Sequence, residues 1–122
     1  RLGAVPGGLK PALQWNPEVP VMFKILGIIK RPEGMEFETF KTWWLTVHAP
    51  KVQRWPGLVK YHINLCTTPD QPFDGVAEVW FENREAMERV FSTPEGQYAR
   101  EGATGTASSI AILFTEEHVI VP

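Results

Sequence analysis

Cysteine is nearly missing from this chain of 122 residues, Cys66 being the single one, so neither an internal disulfide nor a cysteine-rich zinc site can form. A reducing compartment and a cytoplasmic location are the matching expectation. A basic excess is missing as well: 12 Lys and Arg stand against 14 Asp and Glu, a formal net charge of −2, with no block of one sign. Nucleic-acid binders carry a basic face, and that class is set aside. No apolar run approaches the roughly 18 residues of a membrane span, and the first residues lack a secretory signal's compact apolar stretch. There is no Walker-type phosphate loop, no dinucleotide fingerprint and no His-Glu zinc motif on a helical pattern. The three histidines lie far apart, so neither a metal nor an organic cofactor is expected.

What is present, 43% hydrophobic and 21% charged residues, suffices for one folded core. Pro6, Pro11, Pro17 and Pro20, with Gly3, Gly7 and Gly8, forbid a helix over the first twenty residues. Residues 1–21 therefore read as an extended arm with Leu9, Leu13 and Trp15 as its anchors, either a leader or fusion remnant or a segment draped over the domain or a neighbouring subunit. Residues 22–122 form the domain.

Phe23 to Ile29 is rich in β-branched residues and predicts a central strand ending at Lys30-Arg31-Pro32. Gly27 inside it leaves room for something to approach the backbone, and so to open a pocket. Phe37, Phe40, Trp44 and Val47 recur at helical spacing and predict a helix to about Ala49, ended by Pro50. His48 then sits at the edge of the buried face. Leu58 to Cys66 alternates, with Val59, Tyr61, Ile63 and Leu65 on one face and Lys60, His62, Asn64 and Cys66 on the other. After a loop over residues 67–75, Val76 to Phe81 is a third strand. Asn83 caps a helix bearing Ala86, Met87, Val90 and Phe91; Thr93-Pro94-Glu95 starts another, which Gly102 stops. Residues 110–121 read as a long last strand, bulged near Glu116-Glu117.

This order, strand, helix, strand, strand, helix, strand, is the ferredoxin-like α+β arrangement, a four-stranded antiparallel sheet with helices on one face. The other face, carrying Leu26, Ile28 and Trp80, is too apolar to be left bare, and a second copy of the chain would cover it. A homodimer closing an α/β barrel is the expectation. Lys60, His62, Asn64 and Glu78 fall on that face, as a cross-strand network of the interface or, alternatively, a second site.

The stretch Phe40-Lys41-Thr42-Trp43-Trp44-Leu45-Thr46-Val47-His48-Ala49-Pro50, with Trp55-Pro56-Gly57-Leu58-Val59-Lys60-Tyr61 after it, resembles the EthD-like proteins of the dimeric α/β-barrel superfamily. Ala77-Glu78-Val79-Trp80-Phe81 is similar to that family's third strand. The resemblance covers residues 22–121. It implies a metal-free, cofactor-independent enzyme of general acid/base type, near the methylmuconolactone isomerases and the polyketide cyclases and dehydratases. The isomerases carry a Cys where this chain has Val79, a departure from their pattern.

His48 and Tyr61 are the candidate catalytic residues. An imidazole exchanges protons near neutrality, and a phenol opposite it can hydrogen-bond to a carbonyl or developing enolate. Phe23, Ile25, Gly27, Phe40, Trp44, Val79, Phe81 and Phe91 are the candidate substrate-binding residues around a planar apolar guest, although aromatics at such spacings also serve simply as core. The expected reaction is that of a lyase, isomerase or cyclase/dehydratase on a lactone or polyketide-like ring compound. The alternatives are a non-catalytic small-molecule binding or accessory protein, and a haem-handling protein in which His48 would ligate iron.

Overall fold

The computed structural model describes residues 15–122. Strand β1 (Met22–Lys30) lies between β3 (Gly75–Phe81) and β4 (Ser109–Glu117), and β2 (Leu58–Leu65) borders β3 at the far edge; every pairing is antiparallel. This is the ferredoxin-like α+β fold. Of the expected arm only residues 15–21 fall within the described part, where the exposed Trp15 ring meets His118 with centroids 5.7 Å apart; the proposed anchors Leu9 and Leu13 lie outside it.

Helix α1 (Phe37–Trp43) does not end at Pro50. Its path continues through one wide turn, Trp44–His48, in which the Ala49 N–H reaches back to the Trp44 carbonyl, and then into a short helix α2 (Ala49–Val52). The physical reason lies in the proline. It offers no N–H and clashes with a preceding helical carbonyl, but it is well suited to the first turn of a helix, and the widened turn restarts the helix just ahead of it. Register changes with the turn. His48 is buried, whereas Val47, expected on the apolar side, is 46% exposed.

Asn83 Oδ1 accepts from Ala86 N at 2.8 Å and begins α3 (Arg84–Arg89); a tight turn, Val90–Ser92, leads to Thr93, whose Oγ1 accepts from Gly96 N at 3.0 Å and begins α4 (Pro94–Thr106). Both caps fall where the sequence places them. Helix α4 runs through Gly102 instead of stopping there. Ala99 and Ala103 bury its inner face, and a Cβ at Gly102 would meet only the Lys51 side chain, nearest at its mobile Nζ, 2.9 Å away.

Two further corrections concern strands. The β2–β3 pairing shifts register between Leu58 and Lys60, so Val59 is the extra residue of a bulge, 52% exposed rather than on the helix-facing side. Strand β4 pairs with β1 in unbroken register from Met22↔Glu117 to Lys30↔Ser109, with no bulge at the acidic pair, and Val119, Ile120 and Val121 lie exposed beyond it.

The core has two centres beneath the helices. One gathers Ile25, Val52, Trp55, Val79, Phe81, Met87, Val90 and Ala99; the other gathers Ile29, Phe40, Trp44 and Ala77. Gly75 lets the second close, because a Cβ there would fall 2.5 Å from the Asn64 carbonyl and 2.7 Å from the Trp44 ring. Overpacking of this kind costs about 1–3 kcal/mol. Gly75→Ala is expected to lower stability by that amount in urea denaturation, and an unchanged midpoint would contradict this packing.

Candidate functional site

Between the sheet and the helices lies a narrow apolar cavity of about 50 Å³. Apolar lining with a few polar groups is the usual makeup of a small-molecule pocket. Its floor is the helix-facing parity set of the sheet: Ile25, Gly27 and Ile29 of β1, Tyr61 of β2, Ala77 and Val79 of β3, and Ile110 and Ile112 of β4. Its walls are His48, Val52 and Trp55 on one side and Phe91, Ala99, Arg100 and Ala103 on the other. Gly27 creates room as expected of it: a Cβ there would meet only the Ala77 methyl, at 3.8 Å.

The sequence-derived site residues divide. His48, Tyr61, Ile25, Gly27, Val79 and Phe91 line the cavity. Phe40 and Trp44, both 0% exposed, fill the neighbouring core centre, Phe81 is sealed in the other, and Phe23 packs against that second cluster with the Arg84 guanidinium 5.9 Å from its ring. None of these four reaches the cavity wall. Aromatic spacing identifies a buried face but does not distinguish a core ring from a wall ring. Trp55, which the sequence reading did not place among the site residues, is 8% exposed and stacks on Phe81 at 6.2 Å. Its only sequence signal was the presence of tryptophan in a turn, where a large apolar ring needs a partner.

The polar inventory is short and unsatisfied. Among the described residues Nδ1 of His48 and Nε1 of Trp55 are buried in the cavity lining without a hydrogen-bond partner, and the buried Tyr61 hydroxyl and Trp44 indole N–H have only each other nearby. Buried polar groups are ordinarily paired, and orphans cost free energy. The imidazole is held by packing, its ring stacked on Trp43 at 5.1 Å with 15° between planes. Among the described residues no hydrogen bond fixes either of its nitrogens.

Burial pushes the His48 pKa down to about 4, and the positive charge of Lys51 adds to the effect. The imidazole is neutral at pH 7. Burial drives the Tyr61 phenol upward, only partly opposed by the Trp44 indole, so it stays protonated and available as a donor. Among the described residues no group of three metal-ligating side chains converges, and no helix is long and apolar enough to cross a membrane.

On the opposite face of the sheet, Lys24 Nζ lies 2.8 Å from both Glu78 Oε2 and Glu117 Oε2, and Asn64 Nδ2 donates to Glu78 Oε1 at 2.9 Å. Burial works against the Lys24 charge, but the two carboxylates outweigh it and its pKa is raised. Trp80, 5% exposed, lies between the ammonium groups of Lys24 and Lys60, at 4.6 and 4.4 Å from its ring. Glu78 therefore pairs with Lys24 rather than with Lys60 or His62; His62, opposite Glu78 in register, turns its ring edge-on to Trp80 at 5.1 Å. Cys66 is a packed residue whose Sγ meets the Phe73 carbonyl at 3.2 Å.

Residues 32–103 match the model of the EthD domain. The chain is 29% identical over 79 residues to an uncharacterized 11.0 kDa protein of the thcB-thcC intergenic region of Rhodococcus erythropolis, an alignment covering 62% of this chain and 77% of that protein. Among solved structures it is similar to an ethyl tert-butyl ether d (EthD) family protein of Bacillus halodurans, with TM-score 0.70 and 21% identity over 79% of this chain and 98% of the other. It is also similar to a dimeric ferredoxin-like protein of unknown function from Thermobifida fusca, with TM-score 0.63 and 8% identity over 85% and 99%. Both structural likenesses bear on fold.

The depressed His48 pKa has a measurable consequence. Between pH 4 and 6.5 the unfolded chain binds a proton at this site that the folded one does not, so stability falls as pH drops through that window. The full loss amounts to about 3 kcal/mol. Urea denaturation at intervals from pH 7.5 to 4 is expected to show this decline in the wild type and a shallower one in His48→Gln. Parallel curves would contradict it.

Proposed function

Because the chain belongs to the EthD domain family, whose fold carries both enzymes and small-molecule binders, we propose that it is a cofactor-independent acid/base enzyme of small-molecule metabolism. Its cavity takes an apolar, ring-bearing compound with an acidic C–H beside a carbonyl, such as a lactone or polyketide-like molecule. The carrying observation is that the apolar cavity interior is lined by His48, Tyr61 and Trp55, whose polar atoms are buried, His48 Nδ1 and Trp55 Nε1 having no hydrogen-bond partner among the described residues.

Neutral His48 accepts the substrate proton, and the Tyr61 hydroxyl donates a hydrogen bond to the oxygen on which charge develops. An imidazole with so low a pKa is a weak base in the empty protein. Negative charge growing on the substrate oxygen raises its basicity as the proton moves. Returning the proton to another position gives isomerisation; returning it to a leaving oxygen gives elimination. Lyase, isomerase and cyclase/dehydratase outcomes share this first step.

A second reading has its own support. Among the described residues no carboxylate or carbonyl orients the imidazole through hydrogen bonding, as a third group does in activated pairs. A binding or accessory protein needs no such orienter. The two readings part on turnover. With a lactone or β-dicarbonyl substrate that the wild type converts, His48→Ala is expected to reduce kcat by about 10²–10⁴-fold. Retained turnover would remove the base assignment, and ligand binding without conversion by the wild type would establish the binding protein.

We further propose that two copies pair through the opposite face of the sheet. Leu26, Ile28 and Val76 are only half-covered there, and Leu113 is 46% exposed; the Thermobifida fusca relative is described as dimeric. Leu113→Glu is expected to convert a dimer into a folded monomer in light scattering. A wild type that is monomeric at micromolar concentration would sink this part.

A further inference from the structure

We infer that the cavity selects an organic anion, an aromatic or alicyclic carboxylate whose ring enters the apolar interior while its charge stays at the mouth against Arg100. The inference rests on the reading of the cavity as a small-molecule site and specifies what that site admits.

Arg100 is the one residue of the lining with a permanent charge. It is exposed, and its guanidinium stands over the ring of Phe91, 5.0 Å from the centroid. Phe91 lines the cavity too and meets Trp55 edge-on at 5.4 Å. The cation thus sits on the rim, above rings that continue into the wall. Among the described residues no carboxylate comes within ion-pair distance of it; Glu95 and Glu101 of the same helix form no bridge, although Lys24, Arg31 and Arg84 elsewhere all do.

A second cation stands nearby. Lys51 Nζ lies 4.7 Å from the Tyr98 ring and packs against Gly102, again without a carboxylate partner among the described residues. Its charge reaches the site, since it is one cause of the lowered His48 pKa. In a chain of net charge −2, these two cations beside the cavity have no ion-pair partner among the described residues. A guanidinium recognises a carboxylate through two parallel hydrogen bonds, and its planar face remains stacked on an aromatic ring while it does so. Cationic ligands meet repulsion here. Neutral ones leave the guanidinium unused. The division of labour is spatial: the Trp55, Tyr61 and His48 groups address the interior of the ligand, and Arg100 addresses its charged end.

Two probes of nearly equal shape isolate the charge, 1-naphthoate and neutral 1-naphthamide, titrated into the full chain at low ionic strength with affinity read by NMR. The tryptophan indole N–H of Trp55 reports occupancy of the cavity. The wild type is expected to bind the carboxylate about tenfold more tightly than the amide, both probes moving the Trp55 signal. Arg100→Gln, an exposed substitution, is expected to erase the difference, and added salt to weaken only the carboxylate. Equal affinities in the wild type, or a preference surviving Arg100→Gln, would overturn the inference and leave the cavity reading intact. Binding that leaves Trp55 unmoved and persists in Gly27→Leu, which fills the cavity floor, would overturn the cavity reading itself. Failure of both probes to bind counts against both.

Discussion

A neutral imidazole packed into an apolar wall, with no hydrogen-bond partner for its Nδ1 among the described residues, is the constraint on which this molecule turns. An unpaired buried polar atom costs of the order of 1–3 kcal/mol. Here buried polar atoms of Trp44, His48, Trp55 and Tyr61 gather at the junction of helix and sheet, and His48 Nδ1 and Trp55 Nε1 have no partner among the described residues. The rest of the fold tolerates that expense through two dense core centres, with Phe40, Trp44 and Val90 wholly withdrawn from solvent.

The wide turn Trp44–His48 shows how sequence, backbone and site are joined. Pro50 forbids an ordinary helical hydrogen bond, the turn ahead of it widens, and His48 rather than Val47 enters the interior. Beneath it, strand parity does the remaining work. Ile25, Gly27, Tyr61 and Val79 project from one face into the cavity, and the alternate residues Lys24, Glu78 and Trp80 build the charged and aromatic network on the other. One sheet thereby separates a side that lines the cavity from a side with half-covered apolar residues.

Much of this was legible in the residues. The order of elements followed from periodicity and turn chemistry, and the Asn83 and Thr93 caps were specified by local hydrogen-bonding chemistry that tertiary context did not override. Four floor and wall positions followed from parity. What escaped was tertiary. Pro50 and Gly102 break helices in isolation, but the first restarts one and the second lies inside α4, whose inner face is anchored by buried Ala99 and Ala103. The Val59 bulge depends on its partner strand, and no local pattern announces it. Phe40, Trp44 and Phe81 look like wall residues in sequence because core and cavity present the same apolar face to a helix or strand. Trp55, lying in a turn, gave no periodic signal at all.

The central claim, an imidazole neutral and unclaimed by the protein, is tested most directly by the side-chain nitrogen NMR spectrum of His48 in the ligand-free protein at pH 7. The account predicts shifts of an uncharged ring exchanging between its two tautomers, since no hydrogen bond among the described residues favours either nitrogen. An imidazolium spectrum, or one tautomer locked by a protein acceptor, would contradict it.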